Sequence, residues 1–382
     1  MEARSCIFQI ITLTFIFLST AHSTIFNFPA AFNFGDSNSD TGNFIAAGLD
    51  RLNPPYGQIY FHQPSGRFCD GRLIIDFLSK SPSIMRPFVP KMDAMDLPHL
   101  NAYLDAINKP SFRTGCNFAV AASKILPPTA TSISPFSFGV QVNQFLRFKS
   151  LVLQVVAKGK KLYKHLPEAD YFEKGLYMFD IGQNDLAGAF YSKTFDQVVA
   201  SIPNFLAEFE AGLKKLYDEG ARNFWIHNTG PLGCLTENVA KFGTDSSKLD
   251  EHGCVRGHNE AAKLFNLQLH VLTKKLKSQL SDSNITYVDI YTIKSNLIAN
   301  YSLYGFEQSI MACCGYGGPP LNYDTRVSCG KTSVLNGTVT ALGCSDSTKY
   351  VNWDGIHYTE AANHYVASQI LSGKHSDPPF GR

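Results

Sequence analysis

Short β-rich runs alternate with long amphipathic helical patterns in this chain, and no other feature restricts its fold so tightly. The runs are 30–34 (AAFNF, stopping at Gly35-Asp36-Ser37), 175–181 (GLYMFDI), 223–227 (NFWIH) and 285–290 (ITYVDI). Between the second and third, Val198, Ile202, Phe205, Leu206, Phe209, Leu213 and Leu216 recur mostly in steps of three and four. That spacing lines apolar side chains along one stripe of a 3.6-residue helix. Ala261, Leu264, Phe265, Leu272, Leu276 and Leu280 mark a second helix, and 360–371 a third. Such alternation implies a parallel sheet covered by helices on both faces. Functional residues should then follow the strands' carboxyl ends. No internal repeat is present, and Pro54-Pro55, Pro127-Pro128 and Pro319-Pro320 read as loops. Residues 24–382 are therefore expected to form one domain.

The first 23 residues read as a secretory leader: Arg4, a run of Ile, Phe and Leu from Cys6 to Leu18, then Ala21-His22-Ser23. The run is too short and too interrupted to span a bilayer, which takes ~20 apolar residues. No later segment resembles a transmembrane helix. Removing the leader removes Cys6 and leaves eight of nine cysteines. An oxidising compartment could pair them as four disulfides, in 105 connectivities. Locally, Cys234 is expected to pair with Cys254. Three glycosylation sequons begin at Asn284, Asn300 and Asn336. Together these features favour a secreted glycoprotein, extracellular or delivered to the cell wall or vacuole. Lys and Arg number 34 against 32 Asp and Glu, a net charge of +2. No field of one sign is available to hold nucleic acid. Metal-ligand spacing is missing, since no C-x-x-C exists and Cys313-Cys314 are adjacent.

Four blocks carry chemistry. Directly after the first run, Gly35 permits a tight turn and Ser37 sits where a strand hands over to a helix. Such a hydroxyl can serve as a nucleophile facing backbone N–H groups, or simply cap a helix. Gly115 to Ser123 (GCNFAVAAS) is a small-residue loop. In Gly182-Gln183-Asn184-Asp185, Asn184 can aim its amide into the mouth of the sheet, or form an ordinary Asx turn. In Asp354-Gly355-Ile356-His357, a carboxylate three residues before an imidazole can reach Nδ1–H and leave Nε2 free as a base, as in a Ser-His-Asp triad. The same spacing at Asp96–His99 reads as surface, and His258 and His270 fall on a helical stripe.

The order of these blocks resembles that of the SGNH or GDSL hydrolases, and in particular the plant GDSL esterase/lipases. Supporting signatures are 67–72 (RFCDGR), 228–234 (NTGPLGC) and 350–353 (YVNW). The resemblance implies a three-layer α/β/α sandwich with a five-stranded parallel sheet, close to flavodoxin-like. It implies Ser37 as nucleophile, His357 as general base and Asp354 as its orienting carboxylate. The implied oxyanion hole combines the N–H of Ser37, an N–H in the small-residue loop and the side chain of Asn184. An acyl-serine intermediate would be hydrolysed by water, with no metal or organic cofactor. A monomer acting on a small-molecule, lipid or acylated-saccharide ester is expected. Passing the acyl group to an alcohol, or binding without turnover, are the alternatives. Two departures stand out. Asn38 follows Ser37 where relatives carry Leu, and Ala122 occupies the oxyanion-loop position where relatives carry Gly. If that loop needs φ > 0, a Cβ is disfavoured there. Residues 80–94 look like an extra loop.

Overall fold

A computed structural model describes residues 28–379 except 80–94, 96, 106, 108–109 and 160–163. The expected leader and the extra loop at 80–94 lie outside the described residues. Five strands form a parallel sheet: β1 (Ala31–Gly35), β2 (Gly115–Asn117), β3 (Leu176–Asp180), β4 (Asn223–His227) and β5 (Asn284–Val288). Two further short strands, β6 (Thr332–Val334) and β7 (Thr338–Thr340), pair as a separate hairpin. The sheet order is β2-β1-β3-β4-β5-β8, where β8 (Ser376–Asp377) joins antiparallel to β5. The expected five-stranded sheet thus gains a sixth, antiparallel edge strand. It is only two residues long, too short to leave a periodic signal.

Strand alternation explains the three layers, because successive side chains point to opposite faces. Phe32, Phe34, Tyr177, Phe179, Phe224, Ile226 and Ile285 all enter one core. There they meet helices α2 (Phe138–Ala157), α4 (Phe195–Asp218) and α5 (Arg256–Gln279). Ala31, Leu176, Met178, Trp225 and Val288 enter the opposite core, against α1 (Ile74–Ser79), α6 (Ile290–Ala299) and α7 (Glu360–Leu371). The first core is aromatic-rich, with Phe34 stacked on Phe179 at 5.3 Å between ring centroids and Phe32 tilted on Tyr177 at 5.1 Å. A short helix, α3 (Gln183–Ala189), begins three residues after β3.

Among the described residues three disulfides form: Cys234–Cys254, as expected, Cys313–Cys344 and Cys314–Cys329. The expectation of a possible fourth fails, because Cys69 and Cys116 are buried free thiols in opposite cores. The strand order places a topological switch between β1 and β3, with β2 on one side and β4 on the other. Crevices at the carboxyl ends of strands flanking such a switch are where open α/β sheets bind ligands.

Candidate active site

Ser37 lies two residues past β1, inside a tight turn. Asp36 O accepts the N–H groups of Ser39 (3.1 Å) and Asp40 (2.9 Å). The expected direct handover to a helix does not occur; only a four-residue helix follows, at Asn43–Ala46. Ser37 therefore is not a helix cap. Gly35 is needed for close approach, since a Cβ there would lie 2.5 Å from the Asp180 carbonyl oxygen and 2.6 Å from Ser39 Oγ. Gln141 on α2 locks this strand end from the side. Its amide nitrogen donates to Gly35 O (2.8 Å) while its oxygen accepts from Gly35 N (2.9 Å).

Across from Ser37 comes a turn from the far end of the chain. Trp353 N donates to His357 O at 2.7 Å, closing the loop around Gly355, whose φ is +101°. Asp354 Oδ1 accepts the N–H groups of Ile356 (3.0 Å) and His357 (2.9 Å), and Oδ2 lies 2.7 Å from His357 Nδ1. His357 Nε2 in turn lies 2.7 Å from Ser37 Oγ. Hydroxyl, imidazole and carboxylate thus form one continuous hydrogen-bonded line, all three buried or nearly so. Burial alone would raise the Asp354 pKa, but His357 and the two backbone N–H groups outweigh it and hold the carboxyl below its ordinary range. Phe68 packs against the imidazole with ring centroids 5.3 Å apart.

The small-residue loop begins as β2 and becomes loop only from Phe118, a correction to its reading as loop throughout. Asp40 ties it to the Ser37 turn. Its carboxylate accepts the N–H groups of Gly42 (2.7 Å), Asn43 (2.6 Å) and Phe44 (3.0 Å) on one side and Ala121 (2.8 Å) on the other. Ala122 has φ +59°, in the left-handed region. Neither the Ser37 N–H nor the Ala122 N–H has an acceptor among the described residues. Asn184 sits on the first turn of α3. Its amide donates to Ser123 O at 3.0 Å and to Asp36 Oδ2 at 3.3 Å. Both amide hydrogens are thus engaged, the second at the long end of hydrogen bonding.

Behind Ser37 lies a buried charge cluster that the sequence did not disclose. Burial, then the charge of Asp180, pushes Asp36 up to about 7. Buried Lys294, on α6, is lowered by burial, against the pull of Asp180 and Asp36. Its ammonium lies 4.5 Å from the Tyr358 ring centre. Tyr56 was also missed: its hydroxyl donates to Asp354 Oδ2 at 2.9 Å. Only a fold that joins residues 298 positions apart could reveal that contact. Neither of the two histidines on the helical stripe joins this line. His258 stacks on Phe190 at 3.8 Å, and His270 pairs with Asp377 at 2.7 Å. Asp96 lies outside the described residues. Among the described residues, no group of three or more His, Cys, Asp or Glu side chains is placed to hold a metal ion.

Residues 32–370 match the sequence profile of the GDSL-like lipase/acylhydrolase family. The chain is 58% identical over 402 residues to a GDSL esterase/lipase of Arabidopsis thaliana, covering 98% of this chain and 95% of the relative. It is 60% identical over 354 residues to a second GDSL esterase/lipase of that plant, at 92% and 90% coverage. The chain belongs to the GDSL lipase/acylhydrolase family. This GDSL hydrolase is a carboxylic ester hydrolase, and its substrate is a small-molecule or lipid ester. Another Arabidopsis thaliana relative, 41% identical over 376 residues at 97% and 96% coverage, bears the name alpha-L-fucosidase 3. Among the described residues of the GDSL hydrolase, no helix is long and apolar enough to cross a membrane.

Proposed function

We propose that the protein is a secreted serine esterase working through a Ser37–His357–Asp354 triad and an acyl-serine intermediate. The observation that carries this reading is the unbroken chain of 2.7 Å contacts from Ser37 Oγ through both ring nitrogens of His357 to Asp354. Ser37 Oγ attacks the ester carbonyl as its proton moves to His357 Nε2. Collapse of the tetrahedral intermediate expels the alcohol, which takes that proton. Water then attacks the acyl-serine, again losing a proton to His357, and the acid leaves as Ser37 recovers its hydrogen. Asp354 holds the imidazole in the tautomer with hydrogen on Nδ1 and stabilises the imidazolium that forms.

The oxyanion is received by the N–H groups of Ser37 and Ala122, which have no competing acceptor, and by Asn184. For Asn184 to contribute, its weaker 3.3 Å bond to Asp36 must yield to the developing charge. Protonation of Asp36 favours that exchange, because a neutral carboxyl holds the amide less tightly. This serine-based line favours acyl transfer over glycoside cleavage, which ordinarily pairs two carboxylates across the scissile bond. The leader at 1–23 and the disulfides support secretion. Asn336 is the best placed of the three sequons, exposed between β6 and β7. By contrast the Asn284 amide donates to Asn223 (2.9 Å), and that of Asn300 to Asn296.

The test is covalent labelling with an organophosphonate ester, followed by peptide mapping. Label on Ser37 in wild type, and its loss in Ser37→Ala together with p-nitrophenyl ester hydrolysis, is the expected result. Hydrolysis surviving Ser37→Ala would overturn the triad.

A further inference from the structure

From the environment of Asp354 we infer that Tyr56 is a positioning residue of the catalytic line, acting through the carboxylate. This rests on the triad reading above. Tyr56 is 6% exposed, and its hydroxyl reaches the same oxygen, Oδ2, that faces His357 Nδ1. Asp354 therefore accepts four hydrogen bonds: two backbone N–H groups on Oδ1, and the imidazole and phenol on Oδ2. The backbone pair fixes where the carboxylate sits. The phenol fixes its rotation about the Cβ–Cγ bond and withdraws charge from the oxygen that serves the imidazole.

The ring is held so that it cannot drift. It meets Phe68 edge-on at 6.1 Å and Trp353 edge-on at 6.0 Å, and Phe68 is the ring that also packs on His357. Tyr56 and Trp353 share a small core with Cys313, Cys314 and Cys329. The backbone of that cysteine pair grips the catalytic turn directly. Cys313 N donates to Asn352 O (3.1 Å) and Cys314 N to Trp353 O (2.6 Å), just ahead of Asp354. The titratable groups around the carboxylate are His357 on its own turn, Tyr56, Tyr323 over Gly355, and Cys69 beyond Tyr56, and Asp36 acts on the imidazole electrostatically from the Ser37 side, unchanged in the variants below. Among the described residues, Tyr56 alone joins a side chain from outside the catalytic turn to Asp354 by a hydrogen bond.

Tyr56→Phe keeps the ring and removes only the donor. The carboxylate then becomes more basic and stabilises the imidazolium more strongly. The acid limb of the kcat/KM profile should move upward by about half a pH unit, while kcat falls about tenfold at unchanged KM, because the freed carboxylate no longer fixes the imidazole's orientation and that loss outweighs the electrostatic gain. Replacing Tyr56 by 3-fluorotyrosine, a stronger donor in the same shape, should move the limb the other way. In an Asp354→Asn background, Tyr56→Phe should have no further effect on kcat. A merely structural Tyr56 would lower the melting temperature and leave limb and kcat where they were. That result, or additive losses in the double variant, would overturn the inference. Failure of the triad reading is distinguishable, since hydrolysis would then survive Ser37→Ala whatever Tyr56 does.

Discussion

Ala122 holds a backbone conformation that its side chain disfavours, and replacing it by glycine isolates that cost. An L-residue in the left-handed region costs roughly 1–2 kcal/mol. Ala122→Gly recovers this but loses about 0.5–1 kcal/mol to the flexibility of glycine in the unfolded chain. The Ala122 methyl is only half-buried, so its loss removes roughly half of the ~0.8 kcal/mol that a buried methylene contributes. The net lies near zero, tilted to stabilisation by up to about 1 kcal/mol. Ala121 supplies the internal standard. It is 2% exposed and is not among the positive-φ residues. Ala121→Gly therefore forfeits the whole methyl and the same flexibility with nothing recovered, about 1.5 kcal/mol in all. The two neighbours should differ by roughly 2 kcal/mol in urea unfolding, read from midpoints at constant m-value. Equal destabilisation by both variants would refute the strain. Turnover should be insensitive: alanine already holds the dihedral that directs its N–H, so kcat should stay within about threefold, under 1 kcal/mol in barrier. A gain of ~10²-fold or more, the size of one oxyanion donor, would show that the methyl misaims the loop.

Arg67→Ala should cost about 3–5 kcal/mol, because it strands the buried Asp76 carboxylate without its partner. Both bonds of that pair are 2.7 Å, and thermal unfolding is the readout; a loss under ~1 kcal/mol would mean the pair behaves as a surface bridge. The double variant Cys314→Ala with Cys329→Ala opens a loop of separation 15 and should lose roughly 3 kcal/mol. Its kcat should fall with its stability, because Cys314 N anchors the turn bearing Asp354; full kcat at a temperature where the variant is folded would refute that link. Stability should also fall as pH rises from about 4 to 7. Burial raises Asp36 to about 7 and Asp40 and Asp185 to about 6. The folded chain then binds more protons than the unfolded chain across that window, and each displacement is worth roughly 3 kcal/mol or more. Asp76 and Asp354 are lowered, so their contribution is present above the ordinary carboxyl range and lost on further acidification. The melting temperature should peak in mild acid, and a steady rise through pH 7 would contradict these assignments.

Four of the five parallel strands were legible to within a residue or two, because each is a compact apolar run. β2 was not, since Gly115-Cys116-Asn117 offers no alternation and owes its place to pairing with β1. The run at 285–290 extends past the strand: the side chain of Asp289 accepts from Thr292 N at 3.0 Å and so caps α6, which begins at Ile290. α2 went unread although Phe138, Val142, Phe145, Phe148 and Val152 carry a helical spacing. Of the site, Asp354 and His357 were legible because their partnership is local. Ser37 was legible because it ends a strand. Gln141, Lys294 and Tyr56 were not, because each acts across the fold and none stands in a motif of its own; Asp40 shares the Ser37 block, but its bond to Ala121 N shows only in the fold.

The site joins two halves fixed by different means. Ser37 extends from β1 near the centre of a sheet whose backbone, Gln141 and Gly35 packing leave it little freedom. His357 rides a loop, and loops hold position less accurately than strands, whereas a working constellation tolerates errors of only about 0.5 Å. The extra constraints gather on the loop-borne half. Two of the three disulfides meet at Cys313-Cys314 beside it. Tyr323 fills the space where a Cβ on Gly355 would lie 2.3 Å from its ring, and Tyr56 ties the carboxylate down. Bracing concentrated away from Ser37 is what the proposed proton-transfer line needs when only one of its ends is carried by a sheet.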